Sequence, residues 1–338
     1  MNMYDEACEI RLAEWEDIPD IMEFVEKEWR HGHILGRDRA FFEYEHGSDG
    51  GKVNFIIAVN RETGLLDGMV GFLPASRRPE CLDLWTVMWK TRPGCVPLLG
   101  LELMNRVYSL TGCRYALGIG DNPKTTVPLL RRADPEVKIF RLEHYYLLDD
   151  RADFRIAKIA YRPGNGYADG EKTQVYRLEN AGQAGEYIDF SDTSVVPYKD
   201  EWYLDHRFFR HPVYDYRVFG LRKGTASALL VTRVQEHGGA KALRIVDWLG
   251  DQDCFAGLNA FFREKMKALD CEYTDFFVSG FRETFLTQAG FAKVRADDEN
   301  VIPDYFNPFE QRNVQIWADG RPENCLFCKA DGDQDRPC

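Results

Sequence analysis

Residues 84–104 read LWTVMWKTRPGCVPLLGLELM and contain, in order, a strand, a loop and a helix. The run LWTVMW is apolar and bounded by turn-forming residues, which is typical of a buried strand. From Leu99 onward, Leu103 and Val107 return at helical spacing and form one apolar stripe. Prolines and Gly94 interrupt the pattern between the two, so the chain turns there. The stretch predicts a mixed α/β fold in which a buried strand leads into an amphipathic helix.

The loop in this stretch is a candidate anion site. Exposed N–H groups at a helix N-terminus bind phosphate oxygens, and glycines such as Gly94 and Gly100 permit close approach. Pro93 and Pro97 each lack an N–H donor, and Pro97 also suits the first turn of a helix. Two interpretations therefore remain at this point: a phosphate-binding loop, or an ordinary connection from strand to helix.

The pattern around this stretch occurs twice along the chain. Each half reads as helices, a hairpin, a long strand, a loop, a helix and further strands. Matching landmarks recur at nearly constant offsets: Phe42 and Phe209 are 167 residues apart, Trp89 and Trp248 are 159 apart, and Gly120 and Gly280 are 160 apart. A repeat of this length predicts a duplicated structural unit.

A turn-rich stretch divides the two halves. Residues 162–170 read RPGNGYADG, with few apolar side chains, which is typical of a domain linker. The chain has 338 residues, a length that favours two domains. The predicted organisation is a first domain over 1–150, a linker over 151–172 and a second domain over 173–338.

Composition excludes several classes of protein. Hydrophobic residues make up 44% of the chain, which is enough for a globular core and excludes global disorder. The net charge of −12 argues against nucleic acid and anionic membranes as partners. The longest apolar runs, such as FIIAV over 55–59, are too short to span a bilayer. The N-terminus is polar and acidic, unlike a signal peptide, so we expect a cytoplasmic protein.

The nine cysteines are scattered and odd in number, as expected of reduced thiols. Cys325, Cys328 and Cys338 alone have spacing that resembles a metal site, and a tetrahedral zinc site needs a fourth ligand that no nearby residue supplies. We therefore expect no metal.

Several phrases resemble the GCN5-related N-acetyltransferase (GNAT) family. Residues 10–29, IRLAEWEDIPDIMEFVEKEW, are similar to the first strand and helix of that family, and QAGF at 288–291 is similar to a phrase that closes a late helix. The resemblance covers nearly the whole chain. It implies an α+β (mixed α/β) fold of two tandem GNAT-like domains, each a twisted mixed sheet flanked by helices. More narrowly, the chain resembles tandem GNAT proteins of bacterial surface-glycan and amino-sugar biosynthesis, and the tail KADGDQDRP over 329–337 adds to this likeness.

The resemblance implies an acyl-CoA site in the first half, with acetyl-CoA as donor. In the family the pyrophosphate rests on the loop that follows the fourth strand. The corresponding loop of the second half carries Asp251 and Asp253, which would repel pyrophosphate. The cofactor-binding candidates are Met88, Trp89, Arg92, Gly94, Cys95, Leu99, Gly100 and Asn122.

Catalytic candidates come from polar residues near the acceptor cleft of such a fold. The family often places a proton-donating Tyr after the fifth strand, and this chain has none there. His33 is a candidate general base, because a neutral imidazole can deprotonate an amine, and the alternative is that it only hydrogen-bonds its loop. Glu143 is a second catalytic candidate. The substrate-binding candidates are His31, Tyr145, Asp333 and Arg336.

The resemblance therefore predicts an acyl-CoA-dependent N-acyltransferase acting on an amino sugar or a nucleotide-linked amino sugar. The alternative is a non-catalytic binding or scaffold protein built of two degenerate GNAT domains, which the missing Tyr favours. A transferase that takes its acyl group from aminoacyl-tRNA is a third interpretation, which the acidic charge disfavours. The sequence leaves the oligomeric state open.

Overall fold

The computed structural model describes residues 2–151, 153–164 and 170–337, and these form two compact units. Unit 1 contains the residues up to Ile139, the segment Asp319–Glu323 and the chain from Arg336. Unit 2 contains Phe140–Ala318 and Asn324–Asp335. The predicted mixed α/β fold class is confirmed, since each unit has a mixed sheet with helices.

Unit 1 is built on a five-stranded sheet with the order β1-β2-β3-β4-β5. Its strands are β1 (Cys8–Glu14), β2 (Lys52–Asn60), β3 (Leu66–Pro74), β4 (Asp83–Thr91) and β5 (Tyr115–Ile119). The first four run antiparallel to their neighbours, and β5 is parallel to β4. The helices are α1 (Met3–Ala7), α2 (Ile18–Phe24), α3 (Ile34–Arg37), α4 (Arg39–His46), α5 (Leu99–Thr111) and α6 (Thr126–Ala133).

Alternation along the strands of unit 1 separates two cores. On β2, Phe55 and Ile57 point to one face and pack with the buried side chains of α2 and α4. Ile56 and Ala58 point to the other face, where they meet the buried stripe of α5. The sheet is therefore covered on both faces, which explains why β2 is a continuous apolar run.

Unit 2 repeats this strand order. Its strands are β6 (Lys138–Leu148, from Phe140), β7 (Gln174–Arg177), β8 (Tyr216–Lys223), β9 (Ala226–His237), β10 (Ala240–Gly250), β11 (Cys271–Ser279), β12 (Ala292–Lys293), β13 (Ile316–Gly320, to Ala318) and β14 (Phe327–Cys328). The helices are α7 (Glu201–Leu204), α8 (Asn259–Leu269) and α9 (Glu283–Gln288). Strands β7 to β10 are antiparallel neighbours and β11 is parallel to β10, as β5 is to β4.

The sequence predicts that the first domain ends at residue 150, whereas the two compact units divide between Ile139 and Phe140. Strand β6 continues the first half of the chain, but from Phe140 it belongs to unit 2, where it pairs antiparallel with β11. In return, Asp319–Glu323 comes from the second half and belongs to unit 1. The two halves thus exchange segments, and local sequence patterns carry no signal for such an exchange. Of the predicted linker, residues 152 and 165–169 lie outside the described part of the chain.

Unit 2 contains buried ion pairs around its aromatic core. Arg244 is 2% exposed and bridges Asp275 and Asp304, at 2.9 and 3.1 Å. Lys199 lies 2.6 Å from Asp247. Each cation is thus enclosed with carboxylates, the arrangement that makes burial of charge tolerable.

The C-terminal tail is part of this packing. Asp331 and Asp335 are almost fully buried, Asp331 against Lys199 at 2.7 Å and Asp335 against Arg233 at 2.8 Å. Cys325 and Cys328 are buried as well, and Cys338 lies outside the described residues. Within the described residues, no helix is long and apolar enough to cross a membrane.

Candidate functional site

Strands β4 and β5 of unit 1 separate part-way along their length. They pair in parallel from Asp83 opposite Tyr115 to Thr86 opposite Gly118, and β4 then continues to Thr91 with no further β5 partner. An edge of β4 is therefore released from the parallel pairing just beyond Thr86.

A β-bulge lies immediately after this point. Val87 pairs with Gly71 and Lys90 pairs with Met69, so β4 has one residue more than β3 between the two pairs. Met88 takes up the extra length with a φ of 52°, in the left-handed region that side chains rarely adopt. A bulge bends its strand and redirects side chains, and bulges recur next to active sites.

The loop after β4 is anchored by Arg92 and leaves Gly94 open. The Arg92 N–H donates to the carbonyl of Asp67 at 2.7 Å, and its Nε donates to the carbonyl of Leu66 at 3.1 Å. Gly94 has a φ of 85°, and no atom of the described residues lies within 4 Å of the place where its Cβ would stand. This loop leads into α5, a helix of 13 residues whose first-turn N–H groups face its N-terminal end. The N–H groups of Leu99 and Leu101 already donate to the carbonyls of Val96 and Leu98, at 3.2 and 3.0 Å, so the open loop and the positive end of the helix dipole are what favour an anionic group here.

Trp89 connects the bulge to this helix. Its Nε1 donates to the carbonyl of Gly100 at 2.8 Å, and a Cβ on Gly100 would stand 3.0 Å from the same nitrogen. Glycine at this position therefore lets the indole lie across the first turn of α5.

The other predicted donor residues are placed differently. Leu99 is only 1% exposed and packs into the core beneath α5, so its side chain cannot contact a ligand. Cys95 is half-buried beside the carbonyl of Val96. Asn122 is exposed, and its Oδ1 accepts the N–H of Lys124 at 2.9 Å.

A pair of carboxyl groups, Asp121 and Asp319, lies near the end of β5. Asp121 follows β5 by two residues, and Asp319 lies so close to Gly118 that a Cβ there would overlap its carboxylate. The two side chains are hydrogen-bonded to each other. Because β4 and β5 are parallel, Asp121 lies at the same end of the sheet as the Met88 bulge.

Burial gives this pair unusual acidity. The pKa of Asp121 is raised to about 6. Desolvation by burial raises it, and the hydrogen bond from Asp319 lowers it by a smaller amount. Desolvation and the neighbouring charge raise the pKa of Asp319 well above its usual range. Oδ2 of Asp121 is buried without a hydrogen-bond partner among the described residues. Both carboxyl groups therefore have raised pKa values, and the pair releases its protons at higher pH than two exposed aspartates would.

The predicted residues His31 and His33 lie in unit 1 but are engaged locally. His33 caps α3, and its Nδ1 accepts the N–H of Leu35 at 3.3 Å. His31 is exposed and contacts the carboxylate of Glu26. The helix cap is the alternative role that the sequence left open for His33.

Glu143 and Tyr145 lie on β6 and belong to unit 2, a different unit from His33. Glu143 lies 2.7 Å from Arg141 and 3.3 Å from Lys293. The Tyr145 hydroxyl donates to Glu283 at 3.2 Å, and burial raises its pKa. The structure does not bring Glu143 and His33 together within one unit.

The tail candidates Asp333 and Arg336 also fall in different units. Arg336 has a side chain that is 5% exposed and an ion pair with Glu45 at 2.9 Å, so a sugar cannot reach it. Asp333 is half-buried and accepts a hydrogen bond from Gln334 at 3.3 Å.

Unit 2 has the same bulge but a closed helix entrance. Strands β10 and β11 stop pairing after Ile245, and β10 has an extra residue at Val246. The N–H of Thr173 then donates to the carbonyl of Gly257 at 3.3 Å, and a Cβ on Gly257 would stand 2.5 Å from that nitrogen. The chain before β7 therefore packs against the start of α8, whereas Leu98 at the start of α5 is 64% exposed.

Solved structures resemble this chain in their fold. A GCN5-related N-acetyltransferase from Anabaena variabilis superposes with a TM-score of 0.54 at 9% identity, over 92% of this chain and 72% of that one. A putative acetyltransferase from Pyrococcus horikoshii superposes with a TM-score of 0.50 at 10% identity, over 98% of both chains. The chain has a GNAT fold.

At the level of sequence, no family model and no curated protein matches the chain. With identities near 10%, the structural likeness is a statement about the fold and leaves the activity to be argued from the site.

Proposed function

We propose that this protein is an acyl-CoA-dependent N-acyltransferase that binds its donor in unit 1. The observation that carries the proposal is the combination of the bulge at Met88 with the divergence of β4 from β5, next to an open loop at the start of α5. Released backbone N–H groups on β4 suit a thioester carbonyl, and the N-terminus of α5 suits pyrophosphate.

Among its described residues, unit 2 has no open place for pyrophosphate at the start of α8. Thr173 packs against Gly257, and Asp253 is held by Lys223 at 3.0 Å near the same helix. We therefore assign acyl-CoA to unit 1 alone, with Met88, Trp89, Arg92, Gly94 and Gly100 as the contacting residues. The equal strand order of the two units supports a tandem origin.

In the proposed reaction Asp121 takes the proton of the acceptor ammonium group. The neutral amine attacks the thioester carbonyl and the C–N bond forms. The C–S bond then breaks, the nitrogen gives up its second proton to solvent, and the thiolate of CoA leaves and takes a proton from solvent. N–H groups near Met88 and Trp89 stabilise the oxyanion. We place the base at Asp121 rather than at His33 or Glu143, because His33 caps a helix and Glu143 lies between two cations.

The acceptor proposed is an amino sugar or a nucleotide-linked amino sugar, acetylated in the cytoplasm from acetyl-CoA. The sequence resemblance described above supports this choice of acceptor, donor and compartment. The rival is a scaffold with two degenerate GNAT domains, which the absent Tyr still favours.

Calorimetric titration with acetyl-CoA distinguishes the N-acyltransferase from the scaffold protein. The wild-type protein should bind, and Gly94→Tyr should weaken binding at least tenfold, because the bulky side chain fills the open loop. Gly224→Tyr is the matched control, since Gly224 also has a positive φ with no atom near its Cβ position, but lies in unit 2. Absence of binding at millimolar acetyl-CoA would support the scaffold instead.

A further inference from the structure

Residues from the C-terminal part of the chain lie between β10 and β11 of unit 2. The two strands stop pairing after Ile245 of β10, and beyond that point β14 pairs antiparallel with the end of β11. On the other side, the N–H of Ala330 donates to the carbonyl of Val246, the bulged residue of β10, at 2.7 Å. A segment that we call the strap, residues 324–331, therefore joins the separated edges of both strands.

The strap is packed closely into this cleft. The side chains of β14 and of Ala330 are completely buried. The N–H of Leu326 donates to the carbonyl of Val196 at 3.0 Å, and a Cβ on Gly280 would overlap the carbonyl oxygen of Cys325. Among the described strands of unit 1, none covers the matching edge of β4. An extended ligand thus cannot enter the cleft of unit 2 while the strap is docked.

The strap ends in a buried cluster of charges. Lys199 lies 2.6 Å from Asp247 of β10 and 2.7 Å from Asp331 of the strap. Both aspartates are 0% exposed, and Lys199 is 6% exposed. The cluster therefore holds two carboxyl groups in direct contact with one ammonium group, and an uncompensated buried charge is costly. One proton taken up by the carboxyl groups removes this cost.

Three further titratable groups lie around this cluster. The ring of Tyr203 on α7 is 5.6 Å from the ammonium group of Lys199, and Cys328 of the strap faces the same charges. Desolvation raises the pKa of both groups, so both are neutral near pH 7. Arg207 faces Tyr203, donates to the backbone of the strap and lowers the pKa of the Asp335 carboxyl group. The charges that act directly on the carboxyl group of the strap are therefore those of the cluster itself.

We infer that the strap closes the cleft of unit 2 and that its docking takes up one proton in the cluster of Lys199, Asp247 and Asp331. Desolvation by burial raises the pKa of Asp331 from 3.8 to about 6; Lys199 lowers this pKa, and the charge of Asp247 raises it. The docked state thus binds the proton more tightly than the open state does. Docking is therefore strongest below about pH 4 and weakens as pH rises through about 6.

The test is the rate at which methyl methanethiosulfonate labels Cys328 in the full chain, measured by mass spectrometry of its peptides. Each rate is divided by the rate for the same thiol in the urea-unfolded chain at the same pH, which removes the effect of thiol ionisation. After this correction, Cys328 should be labelled about tenfold faster at pH 7.5 than at pH 5. Cys254 is also 0% exposed in unit 2 but lies outside the strap, so its labelling should not follow this change.

Two substitutions identify the group that takes up the proton. Asp331→Asn keeps an oxygen that can accept the N–H of Cys328 but cannot titrate, so it should abolish the tenfold change. Asp333→Asn removes a half-buried charge two residues further along and should retain the change. The inference is overturned if Cys328 and Cys254 respond alike to pH, or if Asp331→Asn behaves like Asp333→Asn.

The comparison of the two thiols in the wild type decides the matter even where a variant does not fold. The inference concerns unit 2 and does not depend on the acyl-CoA site proposed in unit 1. Failure of acetyl-CoA to bind would refute that donor site and leave the strap in place.

Discussion

Asp121→Asn should change the way stability depends on pH. The pKa of Asp121 in the folded protein is about 6, above the usual 3.8 of an exposed aspartate. The folded state therefore binds this proton more tightly than the unfolded state does. Its contribution to stability is fully present below about pH 4 and is lost as pH rises through about 6. A shift of about two pKa units corresponds to about 3 kcal/mol, or about 1.4 kcal/mol per pH unit.

The measurement is the free energy of unfolding from urea denaturation at pH 4, 5, 6, 7 and 8. Asparagine cannot titrate, so the free energy of unfolding of Asp121→Asn should not show this decline. Relative to the wild type, the free energy of unfolding of the variant should therefore rise by up to about 3 kcal/mol between pH 4 and pH 7. Asp20→Asn changes an exposed aspartate and should give a curve parallel to the wild type. Parallel curves for Asp121→Asn and the wild type would refute the raised pKa, and with it the assignment of Asp121 as a base.

Three further substitutions test the packing of unit 2, each by chemical denaturation. Lys199→Met should lower the free energy of unfolding by about 3–5 kcal/mol, because two buried carboxylates lose their cation. Asp275→Asn should have an effect of similar size, since it leaves a buried arginine with one carboxylate fewer. Gly220→Ala should cost about 1–3 kcal/mol, because the new Cβ overlaps the ring of Tyr187. Gly185→Ala, which faces open space, should stay within about 0.5 kcal/mol of the wild type.

Helix α5 shows what the sequence could predict. The stripe of Leu99, Leu103 and Val107 predicts a helix with one buried face, and all three side chains are buried in the structure. The same stripe explains why Leu99 cannot be a ligand: a residue that fills the apolar stripe of a helix is turned away from the solvent side. Periodicity is a local property, and it is reliable for elements whose packing follows from a single face.

The carboxyl pair shows what the sequence could not predict. Asp121 and Asp319 are 198 positions apart, and they meet because the segment from Asp319 belongs to unit 1. The available signal was an aspartate two residues after a strand, which is common at strand ends. The positive φ of Met88 could not be predicted either, since nothing in the run LWTVMW indicates it.

The two units show how one framework acquires different binding properties. Each has a bulge on the strand that diverges from its parallel neighbour, so the geometry that opens a cleft is common to both. The difference lies in what packs at the start of the next helix: Leu98 before α5 is 64% exposed, whereas Thr173 lies against Gly257 before α8. The segment before β7 lies against Gly257 and takes up the space beside it, so a phosphate group cannot approach there whatever the charge of the surroundings. The carboxylates of unit 2 act in the same direction, and these two effects are the grounds on which we propose unit 1 as the site for a phosphate-bearing donor.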